Sequence, residues 1–106
     1  MKPRIYDYCA DHPSEGAHLY AFHCPGCGYD HAFLVGGDAV ADKRPRWQFL
    51  GSFEKPTFSP SLLCNKDDPK RRCHSVVTDG KIAFQRDCFH CLAGQTVEMP
   101  DWEEAL

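Results

Sequence analysis

Cys73-His74-Ser75-Val76-Val77-Thr78-Asp79-Gly80-Lys81-Ile82-Ala83-Phe84-Gln85-Arg86-Asp87-Cys88 is the stretch whose reading decides the fold. Two β-prone runs flank Thr78-Asp79-Gly80-Lys81. Asp-Gly at the two central positions suits a type I′ turn, which needs φ > 0 at both and matches the twist of antiparallel strands. In that register Val77 faces Ile82, Ser75 faces Phe84 and Cys73 faces Arg86, with Cys88 one diagonal step on. The opposite face carries His74, Val76, Ala83, Gln85 and Asp87. Side chains alternate between faces, so one face gathers two cysteines and the other sets a histidine near a carboxylate. A three-residue loop would shift the pairing by one and put His74 with Cys88 instead.

With 106 residues, the chain is expected to form a single domain over residues 1–106 around one modest core. A structural metal would help hold so small a core. Hydrophobic residues make up 42% and the net charge is −3. This balance argues against a disordered tail and against a phosphate-binding basic protein, so no nucleic-acid partner is expected. No apolar run is long enough to span a membrane, and Met1-Lys2-Pro3-Arg4 leads into no signal-peptide core. A cytoplasmic protein without a membrane partner is the expectation. Seven cysteines are an odd number, and without a secretion signal they read as metal ligands and core thiols rather than disulfides.

Outward from the hairpin, the first 17 residues read as polar and irregular, with Cys9 a lone thiol and His12 and His18 on the surface. The alternation of His18 to His23 predicts a strand that runs into Cys24-Pro25-Gly26-Cys27-Gly28. Two residues between cysteines let both thiolates reach one tetrahedral ion. Pro25 sets the turn, and Gly26 and Gly28 admit the φ > 0 positions that aim backbone N–H groups at sulfur. A redox pair would want a helix starting at the first cysteine; Tyr29 to Val35 reads instead as a returning strand, on which His31 is either a ligand or, the preferred reading, an exposed strand residue. Gly36 to Arg46 is a polar loop that lacks the Lys-Ser/Thr of a phosphate loop. Trp47, Phe49 and Phe53 supply large apolar area for the core or a substrate-facing wall.

In Lys55-Pro56-Thr57-Phe58-Ser59-Pro60-Ser61-Leu62-Leu63-Cys64, proline cannot donate to a ladder, which predicts an edge strand or a strand entry. Ser59 and Ser61 share one face of it. Cys64 reads as core, and Asn65 to Arg72 as a charged loop. Phe89 to Val97 reads as a short turn ending at Gly94 and then a strand, and Pro100 to Leu106 as a helical turn. The whole is a mostly β fold, an antiparallel sheet stapled by a zinc knuckle. Cys24, Cys27, Cys73 and Cys88 make a closed thiolate set for one structural Zn2+, with no open position for chemistry. His90 is an alternative to Cys88. A catalytic zinc using His74 and His90 would need only three protein ligands and a water.

Four separated motifs carry a resemblance over about Cys24 to Trp102: Cys-Pro-Gly-Cys-Gly, Pro-Thr-Phe-Ser-Pro-Ser, Cys-His-Ser-x-Val-x-Asp-Gly-x-Ile-x-Phe, and Asp-Cys-x-His-x-Leu-Ala-Gly-Gln-Thr-Val. Together they resemble a small family found in phages and in bacterial operons that conjugate ubiquitin-like proteins. Operon members of that family look like zinc-containing serine peptidases that process or remove the ubiquitin-like protein. Cys91 stands where the family has a small apolar residue, and the loop from Asn65 to Arg72 lies outside its pattern.

On residues alone, Ser59 and Ser61 are ordinary residues beside proline, and His74 with Asp87 reads as a cross-strand polar pair on a solvent face. The resemblance implies more. Ser61, or failing that Ser59, is then the nucleophile, His74 its base and Asp87 the group that orients the base. Backbone N–H groups near Gly94-Gln95 are the expected oxyanion donors. The function implied is a zinc-stabilised serine peptidase acting on the tail or conjugates of a ubiquitin-like protein. The competing class is a non-catalytic zinc-ribbon adaptor.

Overall fold

A computed structural model describes residues 2–8 and 15–102. The fold is mostly β, as expected: a three-stranded antiparallel sheet of order β1-β2-β3 and a five-stranded one of order β4-β5-β6-β7-β8. The strands are β1 (Tyr6–Asp7), β2 (Ala17–His23), β3 (Asp30–Gly36), β4 (Gln48–Gly51), β5 (Pro56–Cys64), β6 (Cys73–Thr78), β7 (Lys81–Phe84) and β8 (Thr96–Glu98). A short helix, α1 (Ala39–Asp42), starts on Asp38, whose side chain accepts from the Val40 and Ala41 amides.

The hairpin has the tight register. Ser75 pairs with Phe84, Val77 with Ile82 and Thr78 with Lys81. Asp79 and Gly80 carry φ of 50° and 75°, which is the type I′ turn. Gly80 is further constrained because a Cβ there would meet the Arg4 guanidinium at 2.6 Å. That guanidinium hydrogen-bonds Gly80 O and Glu98 Oε2, both at 2.7 Å, and ties the start of the chain to the hairpin tip.

Alternation then decides the core. Phe58, Ser75, Val77, Ile82 and Phe84 are buried on one face of the larger sheet. Phe22 and Phe33 cover them from the smaller sheet. The Phe33 and Phe58 rings lie parallel with centroids 3.9 Å apart, and Tyr20 packs edge-on against Phe49 and Phe53. Trp47, Phe49 and Phe53 thus close the core.

Three expectations are corrected. First, the amino-terminal segment is not wholly irregular: Tyr6 pairs with Ala21, and its hydroxyl donates to Asp30 Oδ2 at 2.5 Å. Second, β5 is an interior strand between β4 and β6. It tolerates Pro60 because its pairing with β6 jumps from Phe58↔Val77 to Leu62↔Ser75. Ser59, Pro60 and Ser61 therefore bulge against Val76, and the missing N–H of proline falls where the ladder is interrupted. Third, the loop after β3 contains α1. Cys9 and His12 lie outside the described residues, as does the carboxy-terminal turn beyond Trp102.

Candidate active site and metal centre

The bulge in β5 and the first residues of β6 build the site on the solvent face of the larger sheet. His74 Nε2 is 3.0 Å from Ser61 Oγ. On the other side of the ring, Nδ1 is 3.4 Å from Asp87 Oδ1. Asp87 arrives there because the chain turns after β7, with the Cys88 amide donating to Gln85 O at 3.2 Å. Ser61 itself is anchored through its carbonyl, which accepts from Trp47 Nε1 at 3.2 Å. Ser59 is exposed and paired across to Gln48 of β4. Of the two expected serines it is Ser61 that meets His74.

The expected oxyanion donors are engaged elsewhere. The Gly94 amide donates to Phe84 O at 3.0 Å and the Gln95 amide to Leu92 O at 3.0 Å. Both hold the turn between β7 and β8 together.

The family described as bacterial ubiquitination-like system serine protease (BubE) matches residues 3–85, most of the chain. The chain belongs to the BubE family. No curated protein and no solved structure matches it. The BubE match takes in Ser59, Ser61 and His74 and stops short of Asp87.

On the core side of β6, Cys73 of the BubE chain meets side chains from the β2–β3 hairpin. One donor atom each from Cys24, Cys27, His31 and Cys73 lies within 4.8 Å of the others, an arrangement compatible with a metal such as zinc. The knuckle is built as its glycines suggest, in part. Gly28 takes φ of 80°, and the Cys27 amide points at Cys24 Sγ at 3.4 Å. Gly26 serves differently: a Cβ there would strike the His90 ring at 2.2 Å, so glycine is what lets the imidazole lie against the knuckle.

His31 is not the exposed strand residue expected. It is 6% exposed and faces inward beside Phe22 and Phe33, in T-shaped contact with Phe22. The signal was present in the alternation of β3, which places His31 on the face of Phe33 and Val35. Its Nδ1 is 3.4 Å from Cys64 Sγ, so Cys64 supports a histidine rather than simply filling core. Its Nε2 is buried without a hydrogen-bond partner. A buried, unpartnered ring nitrogen beside three thiols fits a soft divalent cation that would displace its proton.

The same groups perturb one another's titration. The Cys73 thiol against it, helped by His31 and the Cys27 amide, overcomes burial and holds Cys24 down at about 3. Burial lowers His31, but contact with the Cys24 and Cys64 sulfurs outweighs it and carries the imidazole up to about 11. Contact with Cys24 and burial both raise Cys73, and burial with the Cys24 charge raises Cys27.

Cys88, expected in this set, stands instead in a second group with Cys73 and His90. His90 Nε2 is 3.5 Å from Cys73 Sγ, while its Nδ1 accepts from the Leu92 amide at 3.3 Å.

Proposed function

We propose that this BubE-family chain is a zinc-stabilised serine peptidase, cleaving the C-terminal tail or the conjugates of a bacterial ubiquitin-like protein in the cytoplasm. The observation that carries the reading is the line Ser61 Oγ, His74 and Asp87, with 3.0 Å on one side of the imidazole and 3.4 Å on the other. A cross-strand polar pair alone would not need a serine hydroxyl on the remaining ring nitrogen.

In this reading His74 Nε2 takes the Ser61 proton as Oγ attacks the carbonyl of the scissile bond. Asp87 holds the proton on Nδ1 and stabilises the imidazolium that forms. His74 then protonates the departing amine, and water repeats the sequence to free the acyl group. The imidazole and carboxylate are 29% and 45% exposed, which suits a substrate that is itself a folded protein presenting an extended tail. Ser59 remains the substitute nucleophile only if that tail reshapes the bulge.

We assign the zinc to Cys24, Cys27, His31 and Cys73, with His31 taking the place expected for Cys88. The orphaned His31 Nε2 supports this. So does Cys88 Sγ, which lies 3.1 Å from the His74 carbonyl oxygen. That sulfur is engaged by the His74 main chain and lies outside the cluster of Cys24, Cys27, His31 and Cys73. Four filled positions make the ion a fastener for β2, β3 and β6, with no step of its own.

A fluorophosphonate probe tests the function. Labelling is expected on the peptide that contains Ser61 and is expected to vanish in His74→Ala. Labelling elsewhere, or none on metal-loaded protein that also leaves a tail-extended ubiquitin-like substrate intact, overturns the peptidase reading in favour of the adaptor.

A further inference from the structure

The second thiol group touches the proposed site at the main chain of His74. Cys88 Sγ lies 3.2 Å from His74 N and 3.1 Å from His74 O. Both main-chain groups point towards β7, but β7 ends at Phe84. Beyond it, the Gln85 amide donates to the same His74 carbonyl at 2.9 Å, and the strand then turns away. The His74 N–H would have no ladder partner there.

The geometry points to Cys88 as the positioning residue of the base: its sulfur accepts the His74 N–H, its S–H is donated to the His74 carbonyl, and one side chain replaces a missing strand position. This deepens the peptidase reading and rests on His74 being the base. Cys88 follows Asp87 directly in sequence. Closing the thiol onto His74 therefore fixes the base and its carboxylate partner with the same contact. An N–H buried without an acceptor is costly, so losing the thiol leaves the His74 main chain free to move relative to Ser61.

Cys88→Ala and Cys88→Ser, loaded with zinc, test the assignment. Cys88→Ala is expected to keep its zinc, to exchange the His74 amide proton about tenfold faster or more, and to react with fluorophosphonate about tenfold more slowly. Cys88→Ser is expected to recover most of both, because a hydroxyl also donates and accepts. In the wild-type protein the Cys88 Cβ chemical shift is expected to be that of a free thiol, a readout that needs no variant. A metal-thiolate shift, or loss of zinc in either variant, overturns the inference by making Cys88 a ligand. Unchanged amide exchange in Cys88→Ala also overturns it. If the wild-type protein does not react with the probe, the peptidase reading fails, and the chemical shift and amide exchange still decide whether Cys88 holds His74.

Discussion

Ser61 Oγ stands 3.0 Å from His74 Nε2, at the end of a bulge in which three residues of β5 face one residue of β6. The Leu62↔Ser75 and Leu63↔His74 pairs put Ser61 on the face that His74 occupies, one diagonal step away. The first prediction follows from that contact. Ser61→Ala and His74→Ala are each expected to cost roughly a thousandfold or more in kcat on a tail-extended ubiquitin-like substrate, since members of such a unit fail together. Ser59→Ala is expected to stay near the wild-type rate. A single-turnover cleavage assay on the three variants checks this, and a crippled Ser59→Ala beside an active Ser61→Ala would reverse the assignment of the nucleophile.

Asp87 is half-exposed, and its carboxylate is 3.4 Å from His74 Nδ1. Removing its charge therefore disturbs little packing. Asp87→Asn is expected to leave stability within about 0.5 kcal/mol. The rate is expected to fall by about 10³–10⁴, because an amide can hold the wrong tautomer of the imidazole. Denaturant melts and cleavage rates measured on one preparation separate the two effects. A slow enzyme that is also markedly unstable would mean that Asp87 is structural.

The hairpin and the turn from Cys24 to Gly28 were readable from the chain because their signals are local. Asp79-Gly80 imposes its own turn, and Cys24-x-x-Cys27 carries its own spacing. The character of β5 was not readable. Pro60 says that a ladder bond is missing, but not whether solvent or a bulge absorbs it, and only the pairing of Phe58 and Leu62 with β6 decides. The exposed reading of His31 failed for a related reason. Its polarity suggested solvent, whereas its position opposite Phe22 in the β2–β3 register places it in the core beside sulfur. The expected Cys88 ligand followed from the hairpin face alone. The irregular turn after β7 carries its sulfur onto the His74 main chain instead.

Trp47 tests how much the bulge matters. Its indole N–H donates to Ser61 O at 3.2 Å, and its ring packs edge-on to Phe33 with centroids 5.6 Å apart. Trp47→Phe keeps most of the ring and removes the donor. The expected cost is about 1 kcal/mol in stability, with a several-fold fall in kcat, little change in KM and unchanged zinc content. An unchanged kcat would show that the bulge holds Ser61 without the indole.

Metal binding has a pH signature that distinguishes His31 from Cys88 as the fourth ligand. In the metal-free arrangement Cys24, held at about 3, is a thiolate at neutral pH, and His31, raised to about 11, is protonated. Cys27 and Cys73 are raised and keep their protons. The folded pKa of His31 lies above its ordinary 6.5, so its contribution to the metal-free fold is full below that value and is lost as pH rises towards about 11. Cys24 lies below its ordinary 9.0, so its contribution is present above that value and is lost as pH falls towards about 3. Zinc must displace the imidazole proton and two thiol protons, about three in all near pH 7. Zinc affinity is therefore expected to rise steeply with pH, and the gap in Tm between loaded and chelated protein to widen from pH 5 to pH 8. Proton release on titrating zinc into weakly buffered protein measures the count directly. His31→Ala is expected to bind zinc far more weakly and to release about one proton fewer. Full affinity in His31→Ala would remove the histidine from the metal shell and return the fourth position to Cys88 or His90.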